Sequence, residues 1–260
     1  MLPSVTHEAR AIDEPGASSH AVPLYDDLTY RDKFWRERRY EDLADRIALR
    51  SLLPGHGQRL LDVGAGFGRL VSEFAGWDAV TLVDASPAHL AAARQTWARD
   101  ARVRIERADA YDLPFDDGSF DAVVCVRLLH HIERPAEIFA EFARVLAPGG
   151  RLVLEVANKR NLKTIGRWLL RLQRWSPFSE DPHADRPLHF QRHPGVVRRD
   201  LAAAGFSVEA ARTASLFRLR WLSRRVPPAW LGAIEQPLQR WLATLAPGPS
   251  LWYLARKERG

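Results

Sequence analysis

The apolar and polar positions change period several times along the chain, and each change marks an element. Arg59-Leu60-Leu61-Asp62-Val63 is a short apolar run that predicts a strand; the glycine loop Gly64-Ala65-Gly66-Phe67-Gly68 follows, and then a helix to Phe74. Residues 79–83 predict a second strand ending at Asp84, and 87–98 an alanine-rich helix with Pro87 in its first turn. Residues 103–107 alternate as a third strand. Residues 120–126 are apolar after Asp121, as a strand covered on both faces should be. A helix over 135–146 stops at Pro148-Gly149-Gly150, and 151–156 form a fifth strand. Strands alternating with helices predict a parallel sheet with both faces covered.

The flanks differ. Residues 1–23, with Pro3, Pro15, Gly16 and Pro23, show no periodicity and predict a flexible tail. Over 34–53 Trp35, Leu43, Ile47 and Leu49 recur among charges at helical spacing, which predicts one or two amphipathic helices ending at Pro54-Gly55. Residues 158–192 are rich in Arg and Trp and broken by Pro177, Pro182 and Pro187, and read as an insertion over the carboxyl edge of the sheet. Beyond it lie a helix over 193–204, a sixth strand starting at 206–210, an amphipathic helix over 230–245 and a last strand over 251–256.

A length of 260 residues suits one or two domains with an ample core. Cys125 is the single cysteine, which excludes disulfide-scaffold and zinc-finger classes. No apolar run reaches the about 18 residues of a membrane span, and the first residues lack a signal-type apolar core, so a cytoplasmic setting is expected. The net charge of +6 hides an uneven distribution. Residues 160–260 hold 18 Lys and Arg against 7 Asp and Glu, a balance of +11; residues 1–159 hold 20 against 25, or −5. Only four cations are Lys, an arginine bias that reflects GC-rich coding as much as a polyanion partner.

The glycine loop has the form Gly-x-Gly-x-Gly, with Arg69 where a dinucleotide fingerprint wants its third glycine. Asp62, two residues before the loop, would repel a pyrophosphate but can hold an ammonium group. Asp84 at the end of the second strand suits a ribose diol. Together they favour an adenosine joined to an amino acid over one joined to a diphosphate.

Leu60 through Gly68, Asp84, Ala108-Asp109-Ala110, Leu113 through Asp121 and Arg144 through Gly150 together resemble the class I S-adenosylmethionine-dependent methyltransferases. Within them the chain is similar to the ubiquinone/menaquinone-biosynthesis group, over about residues 58–157. The resemblance implies an α/β fold: a Rossmann-like, seven-stranded, mostly parallel sheet with helices on both faces. Its last strand would be antiparallel, inserted between strands five and six, with an N-terminal helical lid and a helical insertion before strand six. The division expected is a tail (1–23) and one domain (24–260), comprising lid (24–57), cofactor-binding half (58–157), cover (158–192) and sheet completion with an amphipathic helix (193–260).

By the same resemblance Gly64, Ala65, Gly66 and Gly68 would approach the methionine part of S-adenosylmethionine, and Asp84 would bind the ribose. Ala85 would pack near the adenine, Asp109 would accept from its amino group beside the Ala110 amide, and Val126 would line the cleft. Asp112 competes with Asp109 for that role. The implied activity is methyl transfer to O, C or N of a small, acidic or lipophilic molecule, leaving S-adenosylhomocysteine; no metal is implied.

His130 and His131 follow strand four, where the acceptor should enter, and an imidazole there can act as general base. Against this, displacement at a sulfonium gains much from alignment alone. His189 and His193 are alternatives. Arg127 either turns away from the sulfonium or holds an acidic substrate group. Tyr30, with Tyr25, Trp35, Arg38, Arg39 and Tyr40, precedes the sheet where related enzymes place a lid. The basic amphipathic stretch 163–178 would cover the sheet or, as the second reading, touch anionic lipid or a greasy acceptor. Two other functions compete. An RNA methyltransferase would use the basic C-terminal half, but Val126-Arg127-Leu128-Leu129 lacks the Pro-Pro-aromatic turn of base-amino methyltransferases. An NAD-dependent oxidoreductase is disfavoured by Asp62 and Arg69.

Overall fold

The computed structural model describes residues 35, 37–186, 189–219, 222 and 225–259. Tyr25, Tyr30 and the expected tail at 1–23 lie outside them.

The middle strand explains the sheet. In β4 (Phe120–Cys125), Ala122 and Val124 belong to one apolar cluster while Val123 and Cys125 belong to the other, so both faces are covered. β1 (Gly57–Val63) pairs with it in parallel on one side and β5 (Leu146–Ala157) on the other. β2 (Trp77–Asp84) and β3 (Val103–Arg107) continue the parallel half. An antiparallel pair of the insertion, β6 (His183–Arg186) and β7 (His189–Gln191), stands apart from the main sheet. β8 (Phe206–Ala214) and β9 (Ser250–Lys257) complete the sheet in the order β3-β2-β1-β4-β5-β9-β8, with β9 antiparallel to both neighbours. The expected insertion of the last strand is therefore present.

α1 (Arg39–Leu52) and α2 (Pro87–Trp97) cover one face: Leu49, Leu52 and Ala93 pack with Leu60, Leu82 and Val124. α3 (Pro135–Val145) and α5 (Pro194–Ala203) cover the other through Phe139, Phe142, Val197 and Leu201. Each such buried side chain contributes about 1.5–3 kcal/mol. α4 (Leu162–Leu169) lies in the insertion, capped by Asn161, whose side-chain oxygen accepts from Thr164 N at 3.1 Å. α6 (Pro228–Trp241) packs on α1, where Leu231 meets Tyr40 and Ala44.

Two expectations change. The helix expected from the glycine loop to Phe74 is a single 3-10 turn, Val71–Phe74. The backbone must cross Gly55 at Gly76, where a Cβ would lie 2.0 Å from the Gly55 oxygen, and β2 starts one residue later. The apolar residues of 163–178 do not cover the sheet either: Leu169, Leu170 and Leu172 are exposed. Both faces are already taken by α1, α2, α3 and α5, and α4 buries only Thr164. No helix among the described residues is long and apolar enough to cross a membrane.

Candidate active site

Strand register brings the candidate residues to one edge. Val63 lies opposite both Val83 and Cys125, and Asp84 opposite Arg107. The turns beginning at Gly64, Ala85, Ala108 and Val126 therefore emerge side by side at the carboxyl ends of β1 to β4, where ligands of open α/β sheets bind.

The glycine loop is fastened from below, as Gly64 N and Ala65 N both donate to Val83 O at 2.9 and 3.0 Å. Gly66 and Gly68 have φ of +57° and +75°, a region costly for other residues. A Cβ at Gly68 would also lie 2.7 Å from Trp97 Nε1, whereas at Gly66 it would meet nothing nearer than 3.9 Å. Open space thus lies over Gly66. Asp84 braces the loop: Oδ2 accepts from Gly66 N at 2.8 Å and Oδ1 from Ser86 N at 2.9 Å. Ser86, not Asp84, caps α2, its hydroxyl accepting from His89 N at 3.2 Å. Asp109 Oδ1 accepts from Tyr111 N at 3.0 Å, and Asp112 N donates to Asp109 O at 3.1 Å, closing a tight turn. Val126 is buried immediately past β4.

Beneath the loop Asp62 is 3% exposed. Burial pushes its carboxyl from 3.8 up to about 7, against the pull of Arg69 and with a contribution from Asp84. Burial likewise drives the Cys125 thiol well up, which fits core filler and not a nucleophile.

Arg127 is paired with α1. Its Nε and Nη2 each lie 3.0 Å from the fully buried Asp45 of α1. Arg69 reaches the same carboxylate at 3.1 Å and also pairs with Asp42. The Trp35 ring stacks on Arg69, 3.9 Å from centroid to guanidinium, with Arg127 at 5.6 Å. Arg127 sits at φ +59°, and its amide donates to Glu155 Oε2 at 3.1 Å. Neither Asp42 nor Asp45 stood out in the sequence, because three-residue spacing on a charged helix reads as a solvated face. The loop arginines that they hold, Arg69 and Arg127, lie far along the chain.

The 3-10 turn Leu129–His131 follows β4 and holds both candidate histidines, with ring centroids 4.0 Å apart. β7 adds a third imidazole: His189 lies 4.7 Å from His130 and 6.1 Å from His131, and its Nε2 is 3.7 Å from Asp185 Oδ1. The sequence named His189 as an alternative, and the strand pair of the insertion carries it to the other two. His193 instead caps α5, its Nδ1 accepting from Gly195 N at 3.2 Å. Burial, with Arg160 nearby, lowers its pKa and keeps it the neutral acceptor this cap needs.

Comparison with known proteins bears on the family of the chain. A family profile described as a methyltransferase domain matches residues 61–154. A demethylmenaquinone methyltransferase of Clavibacter sepedonicus is 42% identical over 106 residues, covering 40% of this chain and 43% of that protein. The chain thus spans less than half the length of that relative. An uncharacterized 37.1 kDa protein in transposon TN4556 of Streptomyces fradiae is 30% identical over 260 residues, 88% of this chain and 68% of the other. Among solved structures, an S-adenosylmethionine-dependent methyltransferase from Mesorhizobium loti aligns with a TM-score of 0.56 at 26% identity, covering 80% of this chain and 95% of its own. Sheet order, glycine loop and relatives agree, and the chain belongs to the class I S-adenosylmethionine-dependent methyltransferases.

Proposed function

We propose that the chain moves a methyl group from S-adenosylmethionine to O, C or N of a small, lipophilic or acidic acceptor. The observation that carries this reading is the alignment, at one sheet edge, of the open glycine loop, Asp84, the Asp109 turn and the histidine trio. The residues suit the cofactor: Asp62 is a buried carboxyl that an ammonium would neutralise, and Gly66 leaves room above the loop. When bound, the cofactor supplies an electrophilic sulfonium methyl.

In this reading Asp62 would hold the ammonium, Asp84 the ribose hydroxyls while keeping the loop in shape, and Asp109 with the Ala110 amide the adenine edge. Val126 and Ala85 would exclude water beside it. α1 would form the lid, with Asp45 keeping the Arg127 cation away from the sulfonium. His131 or His130 would accept an acceptor proton, with His189 beside them and Asp185 next to His189. The name of the demethylmenaquinone relative supports a lipophilic aromatic acceptor. Nothing among the relatives favours the RNA alternative, and family membership sets aside the nicotinamide one.

Two experiments test these roles. A carboxyl whose folded pKa exceeds its unfolded value opposes folding when ionised: the cost grows as pH rises from 3.8 to about 7 and is constant above. An adjacent ammonium reverses that preference. Calorimetric affinity for S-adenosylhomocysteine is therefore expected to rise as pH rises to about 7, by up to about ten-fold per unit, and to level off above it. Asp62→Asn is expected to lose that rise and, without ligand, to melt higher than the parent chain at neutral pH. A flat parent profile removes Asp62 from the ammonium site.

His131→Ala and His189→Ala are expected to keep cofactor affinity within about two-fold while lowering kcat for a demethylmenaquinone-like hydroquinone by roughly 100-fold. An unchanged kcat assigns methyl transfer to alignment alone.

A further inference from the structure

Exposed apolar side chains are common singly and informative when gathered. Of the eleven large ones exposed among the described residues, six lie within 162–178 and four within 230–245; only Leu219 falls elsewhere. In the first group Leu169, Leu170 and Leu172 are 67%, 70% and 61% exposed, and in the second Trp241 and Leu245 are 82% and 68% exposed. The groups adjoin. Leu162 N donates to Pro247 O at 2.9 Å, and Asn158 Nδ2 donates to Ala246 O and Gly248 O at 2.8 Å each. Their shared border sits where β5 ends and β9 begins, at the edge that also carries the histidine turn.

The charge on this surface has one sign. Between Glu155 and Glu180 the chain has six Lys and Arg and no carboxylate. Lys159 is buried, its ammonium bonded to Ser179 O at 2.9 Å, while Lys163, Arg167, Arg171 and Arg174 are exposed. The single carboxylate of α6, Glu235, is completely buried. Exposed leucines and tryptophans set among cations, with no exposed acid between them, complement a layer of anionic headgroups over apolar chains.

We propose that the surface formed by α4, its following loop and the outer side of α6 docks on anionic lipid, resting the acceptor edge of the sheet on a membrane. Leucines would enter the headgroup boundary while guanidinium groups stay at phosphate level. This proposal does not depend on the methyl-transfer reading, since its readout is partition onto vesicles.

The test uses the whole chain with sedimenting vesicles of phosphatidylcholine alone, and of phosphatidylcholine and phosphatidylglycerol in equal parts. Co-sedimentation with the mixed vesicles, release by high salt and a blue shift of tryptophan emission are expected. Leu169→Glu with Leu172→Glu, both at exposed positions, is expected to lower the partition coefficient by about ten-fold or more without altering circular dichroism or cofactor affinity. Arg167→Gln with Arg171→Gln is expected to weaken binding to the mixed vesicles alone. Failure to sediment with mixed vesicles overturns the proposal, as does undiminished binding by the glutamate variant. A concentration-dependent dimer that the glutamate variant abolishes also overturns it, assigning the surface to self-association; RNA binding that the arginine variant abolishes and the glutamate variant retains assigns it to a polyanion.

Discussion

Asp84→Ala is expected to weaken S-adenosylhomocysteine binding at least ten-fold by titration calorimetry. Two losses add. The ribose acceptor would go, and the two backbone amides that Asp84 holds, Gly66 N at 2.8 Å and Ser86 N at 2.9 Å, would lose a charged partner. Hydrogen bonds to charged groups contribute about 1.5–3 kcal/mol each, and about 1.4 kcal/mol already amounts to ten-fold. Asp84→Asn keeps one acceptor oxygen and places an NH2 opposite the other amide, so its affinity should fall between the two. If alanine binds as tightly as aspartate, Asp84 does not reach the cofactor.

The largest loss of stability is expected at a residue far from the chemistry. Glu235 on α6 is fully buried, and burial raises its carboxyl pKa while bonds from Gln239, Ser215 and Leu216 pull it back. Oε1 accepts from Ser215 N at 2.7 Å and Gln239 Nε2 at 2.9 Å; Oε2 accepts from Leu216 N at 3.2 Å and from the Tyr40 hydroxyl. That hydroxyl accepts in turn from Phe217 N at 2.8 Å. Ser215 has φ +62°, so this carboxylate also holds a strained residue at the end of β8. Glu235→Ala strands four donors in the interior and is expected to cost about 3–5 kcal/mol, a fall in Tm of roughly 6–20 °C for a chain of this size. Glu235→Gln keeps the shape but presents a donor to donors, and should lose part of that. A fall below about 1 kcal/mol would mean that α6 is held by apolar contact alone.

Most of the parallel half of the sheet, which depends on near neighbours, was legible in the sequence. β1 to β5 follow from short apolar runs bounded by Gly, Pro and Asp, and the glycine loop and Asp84 fall at the ends of those runs. Whatever depends on distant pairing was not. Tyr40 and Glu235 are 195 residues apart, and Arg127 and Asp45 are 82 apart, and no periodicity announces either pair. The choice left open for Arg127 needed the position of α1. The stretch 163–178 shows a related limit, since amphipathic spacing reveals that a helix has an apolar side but not what that side meets. The β6 and β7 pair is too short and polar to raise a strand signal, yet it delivers His189.

Asp45 has one more consequence. It is the common counterion of a guanidinium from the turn after β1 and another from the turn after β4. Were α1 to swing outward, two like charges would be left side by side without the carboxylates that reconcile them. The turns after β1 and β4 are therefore coupled like the jaws of a vice, and the spacing between them is set by carboxylates of a helix that packs on the face of the sheet and supplies no strand to it.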